Sequence, residues 1–141
     1  QYQDLLYEVK NGVAWITNVL ERQRANTCVQ WGITLKGSDT VIGVIGPWRL
    51  IPEHHRGELG YTLAREHWGQ GLITEAIAAV VDHSFNVFGL HSLEAWTNPA
   101  NVGSMCALEK NGFVREAYFK ENIFWEGSFQ DSVVYARRAA E

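Results

Sequence analysis

The stretch His67-Trp68-Gly69-Gln70-Gly71-Leu72-Ile73-Thr74-Glu75 constrains this chain more than any other. A strand-like run, Gly57 to Leu63, leads toward it, and a helix-like run opens directly after its second glycine. Two glycines one residue apart permit a bend that side chains would block, with backbone N–H groups uncovered beside the positive end of a helix. Such a bend suits an anion, most commonly a phosphate. Gly-Gln-Gly alone is equally compatible with a purely structural strand-to-helix turn. It is neither a Walker A loop nor a GxGxxG fingerprint.

The hydrophobic period changes several times along the chain. Leu5, Leu6, Val9, Val13, Ile16, Val19 and Leu20 recur at helical spacing, with Gly12 as a point of division. Alternation over residues 29–35, a turn at Lys36 to Asp39 and a second run at 40–45 predict a hairpin, with Gly43 and Gly46 marking a bulge or a close backbone approach. Residues 47–56, holding two prolines, read as a loop, and 57–63 as a third strand. Ile73, Ile77, Val80, Val81, Phe85 and Phe88 form one stripe of a helix ending near Gly89. Residues 92–97 read as a strand. Asn98-Pro99-Ala100-Asn101 then caps a helix over 102–110, which Asn111-Gly112 stops. Strands over 113–124 and 128–137 follow. Hairpins combined with one βαβ crossover predict an α+β fold, a mixed sheet packed by helices.

The chain has 141 residues, enough for one domain with a proper core, so 1–141 is expected to be a single domain. A formal charge of −4 without a Lys/Arg block argues against nucleic acid, and no apolar run approaches bilayer-spanning length. Residues 1–20 lack the basic start and apolar core of a secretory leader, so a cytoplasmic protein is expected. Cys28 and Cys106 stand far apart without CxxC spacing, and His54-His55 has no carboxylate pair at ligand spacing; no disulfide or metal is expected. Cys106 reads as a packed helical thiol. Trp48, Trp68 and Trp125 serve equally as core or as the wall of an acceptor pocket.

Four runs in order carry a resemblance: Gly57-Glu58-Leu59-Gly60-Tyr61; Trp68-Gly69-Gln70-Gly71 with Thr74-Glu75-Ala76; Asn98-Pro99-Ala100-Asn101-Val102-Gly103-Ser104; and Glu109-Lys110-Asn111-Gly112-Phe113. Together they resemble the successive signatures of the GNAT acyltransferases, nearest to the RimJ/RimL-type N-acetyltransferases. The resemblance implies a mostly antiparallel mixed sheet with two splayed central strands, flanked by helices. It implies acetyl-coenzyme A as cosubstrate, its pyrophosphate on the amides of Trp68, Gly69, Gln70, Gly71, Leu72 and Ile73, extending to Thr74. The pantetheine arm would lie between the strands and meet Asn101, with Asn98 at the same strand end. Ser104 would lie near the thioester sulfur, and the backbone at Leu63 would face the oxyanion. A homodimer is compatible with the resemblance. The sequence shows no strand before its opening helices, so the family's first strand is expected to be missing. Glu66 stands where the family often carries Arg or Gln, which leaves the phosphates to the amides and to Arg65. Leu108 stands where many members carry a Tyr acid, which leaves Ser104 as the available proton donor.

The implied reaction is acetyl transfer to a primary amine by direct attack in a ternary complex. A lysine of pKa about 10.4 is neutral at pH 7 in roughly one molecule in 2,500, an α-amine of about 7.7 in roughly one in six. The difference, about 3.7 kcal/mol, makes a protein N-terminus the easier acceptor, though small-molecule amines fit the same motifs. Glu58, facing the same way as Gly60 and Thr62, is the expected general base, with Glu121 and Asp131 as lesser candidates. A domain that binds acyl-coenzyme A as a sensor, without turnover, is the alternative.

Overall fold

The computed structural model describes residues 20–140. The helical pattern over 5–19 and the missing first strand lie outside the described residues; residues 20–24 are helical. Then follow β1 (Trp31–Thr34), β2 (Val41–Ile51), β3 (Arg56–Leu63), α1 (Leu72–Asn86), β4 (Ser92–Thr97), α2 (Val102–Lys110), β5 (Val114–Trp125) and β6 (Ser128–Arg138). The six strands form one mixed sheet in the order β1-β2-β3-β4-β6-β5. Every neighbouring pair is antiparallel except β3–β4, which the α1 crossover makes parallel. This is the expected α+β sheet. Among the described residues no helix is long and apolar enough to cross a membrane.

Alternation along β3 sends Leu59, Tyr61 and Leu63 toward the helices and Glu58, Gly60 and Thr62 to the opposite face. Leu59, Leu93, Ala95 and Val133 of the sheet meet Ile77, Val80 and Val81 of α1 and Ala107 and Leu108 of α2 in one core. Burying each large aliphatic side chain contributes about 1.5–3 kcal/mol. Helix α2 begins where Asn101 Oδ1 accepts the Ser104 N–H at 3.1 Å. It stops where Gly112, at φ +80°, lets the Phe113 N–H return to the Leu108 carbonyl at 3.1 Å. The Asn111 side chain donates to the Ala107 and Thr74 carbonyls, at 2.9 and 3.1 Å, and so ties the end of α2 to the first turn of α1.

One sequence expectation needs correction. The loop read over 47–56 is mostly strand, because β2 continues through Pro47 to Ile51. The pairing with β3 shifts register between Pro47 and Arg49, and a strand proline is tolerated beside such a bulge. The Pro47 carbonyl and the Leu50 N–H bond the Val29 N–H and the Thr27 carbonyl, at 2.8 and 2.9 Å, which keeps the segment extended.

The glycines of β2 mark close approaches. A Cβ on Gly43 would stand 2.4 Å from the Thr62 carbonyl oxygen of β3. Neither backbone has room to yield, so Gly43→Ala is expected to destabilise the fold by about 1–3 kcal/mol, by analogy with overpacked cores. Thermal unfolding checks this: a midpoint equal to wild type would show that the two strands separate at little cost.

Candidate active site

The parallel ladder between β3 and β4 is short. It runs from Arg56 opposite Ser92 to Leu59 opposite Ala95 and stops there. Beyond that point β3 stays paired to β2 as far as Leu63 opposite Gly43, and β4 to β6 as far as Thr97 opposite Val133. The two central strands therefore diverge at their C-terminal ends, each held by its outer neighbour. Open sheets place ligands at such ends.

The glycine loop follows the end of β3. A single turn, Arg65–His67, leads to Trp68, whose indole N–H donates to the Leu63 carbonyl at 2.7 Å. The Arg65 guanidinium lies over the Trp68 ring, 5.3 Å from its centroid. Gly69 and Gly71 have φ of +75° and +77°, and no atom lies within 4 Å of where a Cβ of either would be. Gly71 precedes α1 and no side chain caps that helix. The first-turn amides of Leu72, Ile73 and Thr74 thus have no capping side chain, and the space beside both glycines is open, features suited to a diphosphate. Glu66 belongs to the exposed turn and Arg65 supplies the nearby cation.

Across the divergence, Asn101 and Ser104 start α2. The Asn101 carboxamide oxygen is engaged in the cap, and its Nδ2 has no hydrogen-bond partner among the described residues. Ser104 is buried, and its Oγ lies 2.5 Å from the Tyr61 hydroxyl of β3. Burial raises the Tyr61 phenol above its ordinary value, opposed by the Ser104 hydrogen bond. Leu108 is fully buried in the core one helical turn later.

The opposite face of the sheet carries two ion pairs. Arg49 Nη1 meets Glu58 Oε2 at 3.3 Å, and Arg56 Nη1 meets Glu94 Oε2 at 3.4 Å, with Glu58 and Glu94 opposite each other in the parallel ladder. Glu58 is only 7% exposed. Burial raises its carboxyl above the usual range; the Arg49 hydrogen bond opposes this, and the neighbouring Glu94 charge adds to it. A buried carboxylate of raised pKa is a better proton acceptor than an exposed one, provided it is ionised.

Other candidates fall outside this cluster. Asn98 uses both ends of its amide: Oδ1 accepts the Ala100 N–H at 2.8 Å, and Nδ2 donates to Gln130 Oε1 at 3.1 Å. It shapes the turn. Asp131 accepts from the Tyr118 hydroxyl at 2.5 Å and the Glu121 N–H at 2.8 Å; the Tyr118 bond foremost holds it below the usual carboxylate range, which makes it a poor base. Glu121 is exposed in the β5 bulge at φ +49°. Trp125 ends β5 beside the hairpin turn, while the Trp48 ring lies over Gly60 and takes a cation–π contact from Arg22. Among the described residues no group of three or more His, Cys, Asp or Glu is placed to hold a metal. Cys106 is exposed rather than packed.

Four site residues escape the sequence reading. Arg49, Arg56 and Glu94 surround Glu58, and Tyr61 reaches Ser104. Tyr61 lies within a recognised motif, and the strict alternation from Leu59 carries the signal that it faces the helices.

Comparison with known proteins identifies the family. The acetyltransferase (GNAT) domain matches residues 2–114. The chain belongs to the GNAT acetyltransferase family. It is 36% identical over 138 residues to the probable N-acetyltransferase YjcK of Bacillus subtilis, a match that covers 94% of this chain and 74% of that protein. It is 32% identical over 99 residues to the ribosomal-protein-serine acetyltransferase of Escherichia coli, covering 70% of this chain and 55% of that one. The chain thus spans little more than half the length of some relatives. Among solved structures, Mycobacterium smegmatis RimJ, determined in complex with CoA-disulfide, superposes with a TM-score of 0.85 at 24% identity, covering 96% of this chain and 65% of that one. This GNAT chain therefore has the expected fold, and it is an enzyme of the acetyltransferase class.

Proposed function

We propose that this GNAT domain transfers an acetyl group from acetyl-coenzyme A to a primary amine by direct attack in a ternary complex. The observation that carries the reading is the uncapped, glycine-lined start of α1 beside two diverging strands. The amides from Trp68 to Thr74 would hold the pyrophosphate, with Arg65 as the nearest cation. Asn101 Nδ2 would bond the pantetheine arm, and the backbone at the end of β3 near Leu63 would meet the oxyanion. Glu58 would take the amine proton, directly or through water, and Ser104 would face the departing sulfur. Asn98, committed to its turn, has no cofactor contact in this scheme.

A protein N-terminus is the favoured acceptor, because an α-amine is neutral at pH 7 far more often than a lysine. The relative named for acetylating a ribosomal protein points the same way. A small-molecule amine is the second class. Acetyl-coenzyme A as donor goes with a cytoplasmic site of action.

Titration with acetyl-coenzyme A should raise the unfolding temperature, with a stabilisation of about 2.7 kcal/mol at 100 times the dissociation constant. No shift at saturating ligand would end the cofactor assignment. Free thiol release against a panel of N-terminal peptides and small amines then tests turnover. Binding without thiol release for any amine would favour the non-catalytic, acyl-coenzyme A-binding alternative.

A further inference from the structure

The Tyr61–Ser104 bond joins β3 to α2 at the place where the central strands part. Three observations give it a direction. Ser104 stands in the first turn of α2, where the positive end of the helix favours electron density on its Oγ, and so favours Oγ as acceptor. The Ser104 N–H is already held by Asn101, which fixes the residue against the turn. Burial keeps the Tyr61 phenol protonated through the neutral range, so it always has a proton to offer. Among the described residues, neither hydroxyl has another hydrogen-bond partner. With Tyr61 donating, the single proton of Ser104 is left for another acceptor.

We infer that Tyr61 is a positioning residue for Ser104, holding the serine proton on the departing thiolate and replacing it once it is given up. The inference rests on the acetyl-transfer reading above. As the carbon–sulfur bond breaks, its electron pair goes to sulfur. Sulfur takes the Ser104 proton, and Ser104 takes that of Tyr61. The proton that the amine gives to Glu58 returns through water to the phenolate. The totals balance without any other reactant. The serine takes one proton as it gives up the other, so it does not persist as an alkoxide. The phenol thus arrives from the strand, while the helix position after Ser104 on that side is filled by buried Leu108.

The test uses Tyr61→Phe, Ser104→Ala and the double variant, each with bound coenzyme A. First, the thiol of bound coenzyme A is titrated by the ultraviolet absorbance of its thiolate, which requires no acceptor amine. A donor aimed at sulfur stabilises the thiolate, so the bound thiol should ionise at lower pH in wild type than in either single variant. The double variant should add nothing to Ser104→Ala. Second, with a working amine, Tyr61→Phe should lower kcat roughly 10-fold or more with the KM for acetyl-coenzyme A little changed, the signature of an interaction made in the transition state. It should have no further effect once Ser104 is Ala. Equal thiol titration in all four proteins, or rate losses that multiply, would overturn the inference while leaving acetyl transfer intact. Failure of wild type to bind coenzyme A would instead remove the functional reading itself. If Tyr61→Phe unfolds, Ser104→Ala carries the titration alone, since it keeps the phenol ring, and an unshifted thiol there overturns the inference.

Discussion

Glu58→Gln is expected to lower kcat by about 10²–10⁴ at pH 7, the usual contribution of a positioned general base. Gln keeps the shape of the side chain, and Arg49 can rehydrate because its side chain is 53% exposed, so folding stability should change little. The pH dependence is the stronger test. Burial raises the Glu58 carboxyl above the ordinary range, against the pull of Arg49. Below that raised value it carries a proton and cannot accept another, so wild-type activity climbs as pH passes through it. The Gln variant lacks this limb. Its deficit should be greatest above the Glu58 value while the amine is still protonated, and should shrink as the amine becomes neutral unaided. A deficit equal at every pH would assign Glu58 a structural role with Arg49.

Gly71→Val should reduce affinity for acetyl-coenzyme A by about 100-fold or more, equivalent to roughly 2.7 kcal/mol. Two effects act together. A β-branched residue at φ +77° is strained by about 1–3 kcal/mol, and its side chain enters the open space beside the glycine. Gly71→Asn separates them, because Asn tolerates the left-handed conformation but still adds a side chain. The Asn variant should unfold near the wild-type temperature and still bind weakly in calorimetric titration. Wild-type affinity in the Asn variant would mean that the ligand does not use this space.

Where local rules decide, the sequence is a good guide. β4 and α2 have the bounds that the sequence pattern predicts, because Asn101 caps and Asn111-Gly112 stops through bonds made within a few residues. β2 escapes because Pro47 normally interrupts strands, and only the register shift against β3 explains its place. Glu58 is legible from alternation. Its Arg49 partner is not, since their pairing depends on that same bulge. Tyr61 and Ser104 stand 43 residues apart, and only the divergence of β3 from β4 brings them together. Asn98 is legible as a residue at the strand end, but the bonds that both ends of its amide make to Ala100 and Gln130 are not.

The indole bond from Trp68 to the Leu63 carbonyl has a consequence in entropy. A glycine-rich segment free to wander would lose about 1–2 kcal/mol of backbone freedom for every residue that a ligand made it fix. Over the four residues Trp68 to Gly71 that would offset much of the roughly 8 kcal/mol behind a micromolar dissociation constant. Here one hydrogen bond and the Arg65 guanidinium over the ring already hold Trp68 in the folded protein, so part of that cost falls on folding. In the proposed reading, the anchor residue is a tryptophan whose ring, half in solvent, need not touch the ligand to tighten its hold.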